Sequence, residues 1–417
     1  MKNIVVLLVM LLVMLGVISP ALHSQEMDNV IGKKFSIASK VLAENRDVQI
    51  YLPEGYHSST KKYPVLYILD GQRLFTLGVS LSQSLRSTVK VTPEFIVVGI
   101  NNQYPDRFNH FTETDFSAFI EKELLPHVEK NYRATNERIL FGWEFAGAYV
   151  IETLAKKPTL FSGHIAASPY PVAETWFAKQ SRVEQLEDKL QSNLDSYLYF
   201  TVSEGENGVI GGTDKLNELL TTKTPQQLRW TYRVIPDEEH LSTAYATMFQ
   251  GVKNYFYGYQ IFQIDSLKHF NEAGGLKNFY AYNKHRAQRF GFSEQAEPWS
   301  MFTIVRNAIR ADNFEQFDLF MNEFKSTDML EKIKLSRANS IAQYYLENKQ
   351  YQGAIEVFEI MAKANPENAK IQNELGDAYL SLNQKSITKK YYQRAVELAK
   401  KSKDKRLIEF QQDLDNL

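Results

Sequence analysis

The sequence predicts an α/β domain with a mostly parallel sheet, followed by an all-α region of helical repeats. Three observations carry this. Up to about residue 260, continuous apolar runs bounded by turn residues alternate with amphipathic stretches. Beyond that point the strand signal stops and the chain reads as helix. Near the end, Ala342, Tyr345, Leu346 and Phe358 recur 34 residues later as Gly376, Tyr379, Leu380 and Tyr392.

Taken in order, "RDVQIYLPEGY" (46–56) alternates apolar and polar residues and stops at Pro53 and Gly55. "YPVLYILDG" (63–71), "EFIVVGINN" (94–102) and "ERILFGWEFAG" (137–147) are nearly continuous apolar runs. They predict parallel strands covered on both faces. "FSAFIEKELLPHVEKNY" (116–132) is an amphipathic helix between two of them. "GHIAASP" (163–169), "SYLYFTVSEGE" (196–206) and "LRWTYRVIP" (228–236) each read as a strand with its exit loop. Functional groups in such a sheet gather at the carboxyl ends of the strands. The repeat is clearest in "YQGAIEVFEIMAKANPENAKIQNELGDAYLSL", with Pro366 at the break, and an earlier helix pair is expected within 301–324. A period of 34 with small and aromatic residues at fixed offsets is the tetratricopeptide signature, and each unit needs a neighbour to bury its apolar face.

The 417 residues suit two or three domains. With 48 Lys+Arg against 49 Asp+Glu the net charge is −1, which gives no basic stripe for nucleic acid or an anionic membrane. There is no cysteine, which excludes disulfides, thiolate metal sites and a thiol nucleophile. Lys2 followed by the apolar run Ile4–Ile18 and "SPALHSQ" reads as a secretory signal over 1–24, cut after Ala21 or Ser24. The run is shorter than the roughly 20 residues that span a bilayer. The expectation is an exported protein, periplasmic or secreted, without a stable membrane anchor. The expected division is 25–262 for the α/β domain, 263–299 for a helical connector and 300–417 for the repeats.

"FGWEFAGAYV" (141–150) has the form of the strand–turn–helix elbow that carries the nucleophile of α/β-hydrolases, written G-x-S-x-G. Gly142, Ala146 and Gly147 supply the small residues of the tight turn. Glu144 occupies the serine slot.

Together with "RDVQIYLPEGY", "YPVLYILDGQRLF", "IVVGINN", "FIEKELLPHVEKNYR" and "EEHLSTAYATMFQGVKNYF", this stretch resembles the esterase family that includes esterase D-like and enterobactin-esterase-like enzymes. The resemblance runs from about residue 44 to about residue 260 and implies an α/β-hydrolase sandwich. It places the family's nucleophile on Glu144, its histidine on His240 and its acid on Glu206, with Glu204 as rival. It also implies an oxyanion hole from the backbone N–H of Phe145 and one near Gly71 or Gln72. The family's histidine before the serine is Trp143 here. Its Arg-x-x-Asp with a following Thr-Pro keeps Arg107 and Thr112, with His110 and Glu113 in the other two slots.

Serine catalysis needs a hydroxyl proton for the histidine to remove, and a glutamate carboxylate has none to give at neutral pH. A second unit charge about 4 Å from a developing oxyanion costs about 4 kcal/mol at an effective dielectric of 20. That corresponds to roughly a thousandfold in rate. Glu144 therefore points to a degenerate or ligand-binding homologue, its carboxylate paired with His240 or folded onto the backbone N–H groups of the hole. The alternative is an active hydrolase with altered mechanism, Glu144 attacking saturated carbon as a carboxylate nucleophile. Glu238 and Glu239 beside His240 match no metal-ligand spacing, and no glycine-rich phosphate loop is present, so no cofactor and no metal are expected. Expected partners are a small-molecule or ester-like ligand at the elbow and a protein or peptide on the helical repeats; nucleic acid is not expected.

Overall fold

The computed structural model describes residues 29–85, 90–102, 107–112, 115–175, 179–190, 194–223 and 226–417. The expected signal at 1–24 and Glu113 lie outside the described residues. The chain divides into two compact units. One is Met1–Ser84 with Glu94–Gly251, and the other is Leu85–Pro93 with Val252–Leu417.

The first unit is built on an eight-stranded sheet in the order β1-β2-β4-β3-β5-β6-β7-β8. Its strands are β1 (Lys33–Ser39), β2 (Glu44–Tyr51), β3 (Tyr63–Leu69), β4 (Ile96–Ile100), β5 (Ala134–Trp143), β6 (Gly163–Ala167), β7 (Ser196–Ser203) and β8 (Leu228–Ile235). β1 and β2 are antiparallel to their neighbours, and β4 through β8 run parallel. The continuous apolar runs are the strands buried along their whole length, β3, β4 and β7 among them. Helices cover both faces of such a sheet, which is why alternation is absent there. β1, "KKFSIAS", is half exposed and was not expected as a strand; it has a single neighbour, β2.

β5 leads through Glu144 into the helix Phe145–Lys156. The turn demands small residues. A Cβ on Gly142 would lie 2.3 Å from the Ala146 carbonyl oxygen, and one on Gly147 would lie 2.9 Å from that of Ala167. Both contacts are with backbone, so neither can yield without opening the turn.

The second unit is helical. Its core gathers Phe262, Phe270, Phe279, Ile304, Phe317 and Phe358, among others. The helix Leu335–Glu347 pairs with Tyr351–Ala364, and Ala369–Ser381 with Lys385–Ser402. The two turns are alike. Lys349 (φ 59°) and Asn383 (φ 58°) are left-handed, and the next residue, Gln350 or Gln384, donates its N–H to Tyr345 or Tyr379 at 2.8 or 3.0 Å. A third pair, Pro298–Arg310 with Phe314–Glu323, turns at Asp312 (φ 48°), with Asn313 N–H donating to Ala308 at 3.1 Å. The 34-residue spacing in the sequence is thus a spacing of equivalent backbone turns. Among the described residues, no helix is long and apolar enough to cross a membrane.

Candidate active site

Among the described residues, four non-glycine residues with positive φ stand at the carboxyl ends of parallel strands: Asp70 (55°) after β3, Glu144 (59°) after β5, Ser168 (41°) after β6 and Asp237 (59°) after β8. Strained backbone of this kind persists only where surrounding contacts over-determine it, and it clusters at functional sites. Three of the four are held by hydrogen bonds to residues of the site itself.

Glu144 sits at the elbow with ψ −119°. Its N–H donates to the Ala167 carbonyl at 3.0 Å, and its carbonyl accepts from Ala148 (2.9 Å) and Tyr170 (3.2 Å). Its carboxylate Oε2 lies 3.1 Å from Nη1 of Arg107. Arg107 is in turn clamped by Asp70, Nε donating to Oδ1 at 2.9 Å and Nη2 to Oδ2 at 2.8 Å. Burial pushes the Asp70 carboxyl above the ordinary aspartate range, and the two Arg107 bonds offset only part of the rise. Both oxygens accept N–H donors in the fork geometry of a carboxylate–guanidinium pair, so we read Asp70 as ionised. Burial alone would lower Arg107; Asp70 and Glu144 outweigh it and hold the guanidinium more firmly protonated than an ordinary arginine.

Glu206 and His240 are in contact, His240 Nδ1 against Glu206 Oε1. The other carboxylate oxygen accepts from Ser168 Oγ (2.6 Å), Ser203 N–H (2.8 Å) and Ser203 Oγ (2.8 Å). Burial raises the Glu206 carboxyl, but the hydrogen bonds from Ser168, His240 and Ser203 prevail and hold it below the ordinary glutamate range. An ionised Glu206 accepts only, so Nδ1 of His240 carries its proton. Glu204, the rival, is exposed, and its N–H donates to the Ile235 carbonyl. Among the described residues the ion pair of Glu144 is with Arg107 and that of His240 is with Glu206, so Glu144 does not take His240 as its counter-ion.

Trp143 joins the two halves of the site. It immediately precedes Glu144, and its Nε1–H donates to the His240 carbonyl at 2.9 Å with the two rings 4.8 Å apart. The guanidinium of Arg73 lies over its indole at 5.0 Å. Arg73, Leu74, Trp143, Leu241, Ser242, Ala244 and Tyr245 line an open cavity of about 300 Å³ beside His240.

Phe145 opens the helix after the elbow, and Gln72 is the second residue of the helix Gly71–Leu85 after the adjacent strand β3. The Gln72 side chain locks its turn to the end of β4, donating to the Asn102 carbonyl at 2.7 Å and accepting from Asn102 N–H at 3.0 Å. His110 lies in a buried cluster, Nε2 3.1 Å from Arg46 Nη1 and 3.2 Å from Glu44 Oε1, with its ring stacked on Phe116. Glu239 caps the helix that begins at His240, exchanging hydrogen bonds with Ser242. Among the described residues no group of three or more His, Asp or Glu is placed to hold a metal ion. Sequence reasoning missed Asp70, Asn102 and Ser168. The Asp-Gly pair at 70–71 and the Ser-Pro pair at 168–169 were the available signals, since both mark tight turns.

A mostly parallel sheet with a strained elbow after β5 and an acid–histidine pair beyond β7 and β8 is that of an α/β-hydrolase. The family described as Putative esterase matches residues 39–255, and the chain belongs to that family. The chain is 26% identical over 158 residues to the ferri-bacillibactin esterase BesA of Bacillus subtilis, covering 30% of this chain and 54% of that protein. It is also 26% identical over 148 residues to the uncharacterised YbbA of the same organism, covering 30% and 58%. The chain thus spans about half the length of these curated relatives. Among solved structures, an IroE-like serine hydrolase from Shewanella oneidensis aligns with a TM-score of 0.52 at 24% identity over 70% of this chain and 98% of that one. An uncharacterised protein from Capnocytophaga ochracea aligns with a TM-score of 0.50 at 13% identity over 91% and 99%. These two likenesses are of fold.

Proposed function

We propose that this protein is a non-hydrolytic, ligand-binding member of the esterase family in which Glu144 stands where the nucleophilic serine would be. The ion pair between Glu144 and Arg107 carries the reading. A carboxylate paired with a guanidinium that Asp70 itself holds is a resting arrangement rather than a poised nucleophile. It offers His240 no proton to remove. The ligand is a small ester-like molecule in the cavity beside Trp143 and His240. The protein is exported, and its helical hairpins act as tetratricopeptide-like repeats that hold a protein or peptide partner.

A second reading is favoured by the Glu206–His240 contact. With Nδ1 protonated and held by Glu206, the imidazole is oriented as a general base. Water activated by His240 would then attack the ester directly, giving residual hydrolysis without a covalent intermediate. Attack by Glu144 on saturated carbon requires first breaking its pair with Arg107.

Turnover of short-chain nitrophenyl esters separates these readings. The unaltered protein is expected to be inactive, and Glu144→Ser to gain hydrolysis that His240→Ala removes. Turnover by the unaltered protein at rates of ordinary esterases, abolished by His240→Ala, overturns the non-hydrolytic reading.

A further inference from the structure

Two arginines of the helical unit share one aromatic platform, and a third lies beside them. Arg306 and Arg310 lie one turn apart on the helix Pro298–Arg310, and Arg337 is on the helix Leu335–Glu347. The Arg337 guanidinium lies 4.1 Å from the centre of the Trp299 ring and 5.7 Å from that of Phe302. Arg306 lies 5.7 Å from the Trp299 ring. Its Nε is buried and has no hydrogen-bond partner. None of the ion pairs among the described residues includes Arg306, Arg310 or Arg337. Arg306 is lowered by burial first, and then by its neighbours Arg310 and Arg337, with no carboxylate offsetting them.

Like charges one helical turn apart weaken a helix, and a third guanidinium from the next hairpin adds to the repulsion. Stacking gives Arg306 and Arg337 order. A guanidinium laid on an indole face is held in place with its N–H edge still open, and that edge matches a carboxylate with two parallel bonds. Two such groups and the exposed Arg310, on two helices, can meet more than one anion, and the half-buried Trp299 ring offers an apolar surface beside them. A net charge of −1 leaves the chain without the extended basic field that nucleic acid would need.

We infer that Arg306 and Arg337, stacked on Trp299, and the exposed Arg310 one turn from Arg306 form a docking site for an acidic peptide segment of a partner protein that carries carboxylates among apolar side chains. This deepens the partner-binding part of the proposed function and is independent of Glu144.

The test is fluorescence anisotropy of the full chain with a short labelled peptide of alternating glutamate and leucine at low ionic strength. Binding is expected, and the combined change Arg306→Gln, Arg310→Gln and Arg337→Gln weakens it about tenfold or more. Should that variant fail to fold, Arg310→Glu alters an exposed side chain and is expected to weaken binding by itself. Arg337→Lys keeps the charge but not the flat stacking and weakens it less. Equal affinity for the combined variant or for Arg310→Glu, equal binding of a peptide with glutamine for glutamate, or tighter binding of single-stranded DNA at the same arginines would each overturn the inference. Ester turnover is not read in this assay, so failure here leaves the Glu144 reading where it stands.

Discussion

Arg107 Nη1 reaches Glu144 Oε2 at 3.1 Å while its other two nitrogens donate to Asp70. The two carboxylates are not equivalent. Asp70 is fully buried, whereas the Glu144 side chain is 27% exposed. Removing Arg107 therefore strands Asp70 far more than Glu144. Arg107→Met is expected to cost about 3–5 kcal/mol of stability, the penalty of an uncompensated buried charge. Glu144→Gln loses one partly solvated pair and is expected to cost at most about 1 kcal/mol. Urea denaturation of the two variants checks this. Equal losses, or an Arg107→Met protein as stable as its parent, would remove Asp70 as the anchor of the elbow's counter-ion.

His164, on β6 beneath the site, is wholly buried. Its Nδ1 is 3.2 Å from Ser196 Oγ, and its Nε2 has no partner. Burial pushes its pKa down to about 3. In the unfolded chain it would titrate near 6.5. Between these values the unfolded state binds a proton that the folded state refuses, so stability falls as the solution is acidified below the unfolded value. The loss from this one group between about pH 7 and about pH 5 is about 2 kcal/mol. The stability of His164→Gln, measured by urea denaturation across that range, should fall by correspondingly less than that of the parent. Parallel pH profiles would mean that His164 takes up its proton without unfolding.

How much of this was legible depended on whether a feature leaves a local pattern. β3, β4 and β7 announce themselves as apolar runs because both their faces are covered. β1 does not, because "KKFSIAS" is half solvated and is defined by the hydrogen bonds of β2. The elbow was readable because Gly142 and Gly147 sit where backbone approaches too closely for any Cβ. Glu204 and Glu206 were not separable in sequence. Burial and the serine donors distinguish them, and Ser168 comes from a different strand end, 38 residues away. The partner of Glu144 was the least legible feature. Asp70 follows β3 and Arg107, 37 residues later, opens the short helix Arg107–Thr112, and an ion pair between separate elements has no periodicity to read.

The same contrast gives a test in the helical unit, where a recurring small residue has a physical reason. A Cβ on Gly376 would lie 2.3 Å from two ring carbons of Tyr392. That ring is 2% exposed, and its hydroxyl donates to Asp377 at 2.6 Å, so it cannot swing aside freely. Replacing a mid-helix glycine by alanine ordinarily gains about 1 kcal/mol from propensity. Forcing a methyl into a packed contact costs about 1–3 kcal/mol. At 2.3 Å against a pinned ring the second effect should win, and Gly376→Ala is expected to lower the stability of the helical unit despite its better helix propensity. Adding Tyr392→Leu should recover part of the loss by removing the ring. Thermal unfolding of the three proteins decides it: a Gly376→Ala protein more stable than its parent would mean that the two helices can separate without penalty, and that the close approach at the 34-residue repeat is not what requires glycine there.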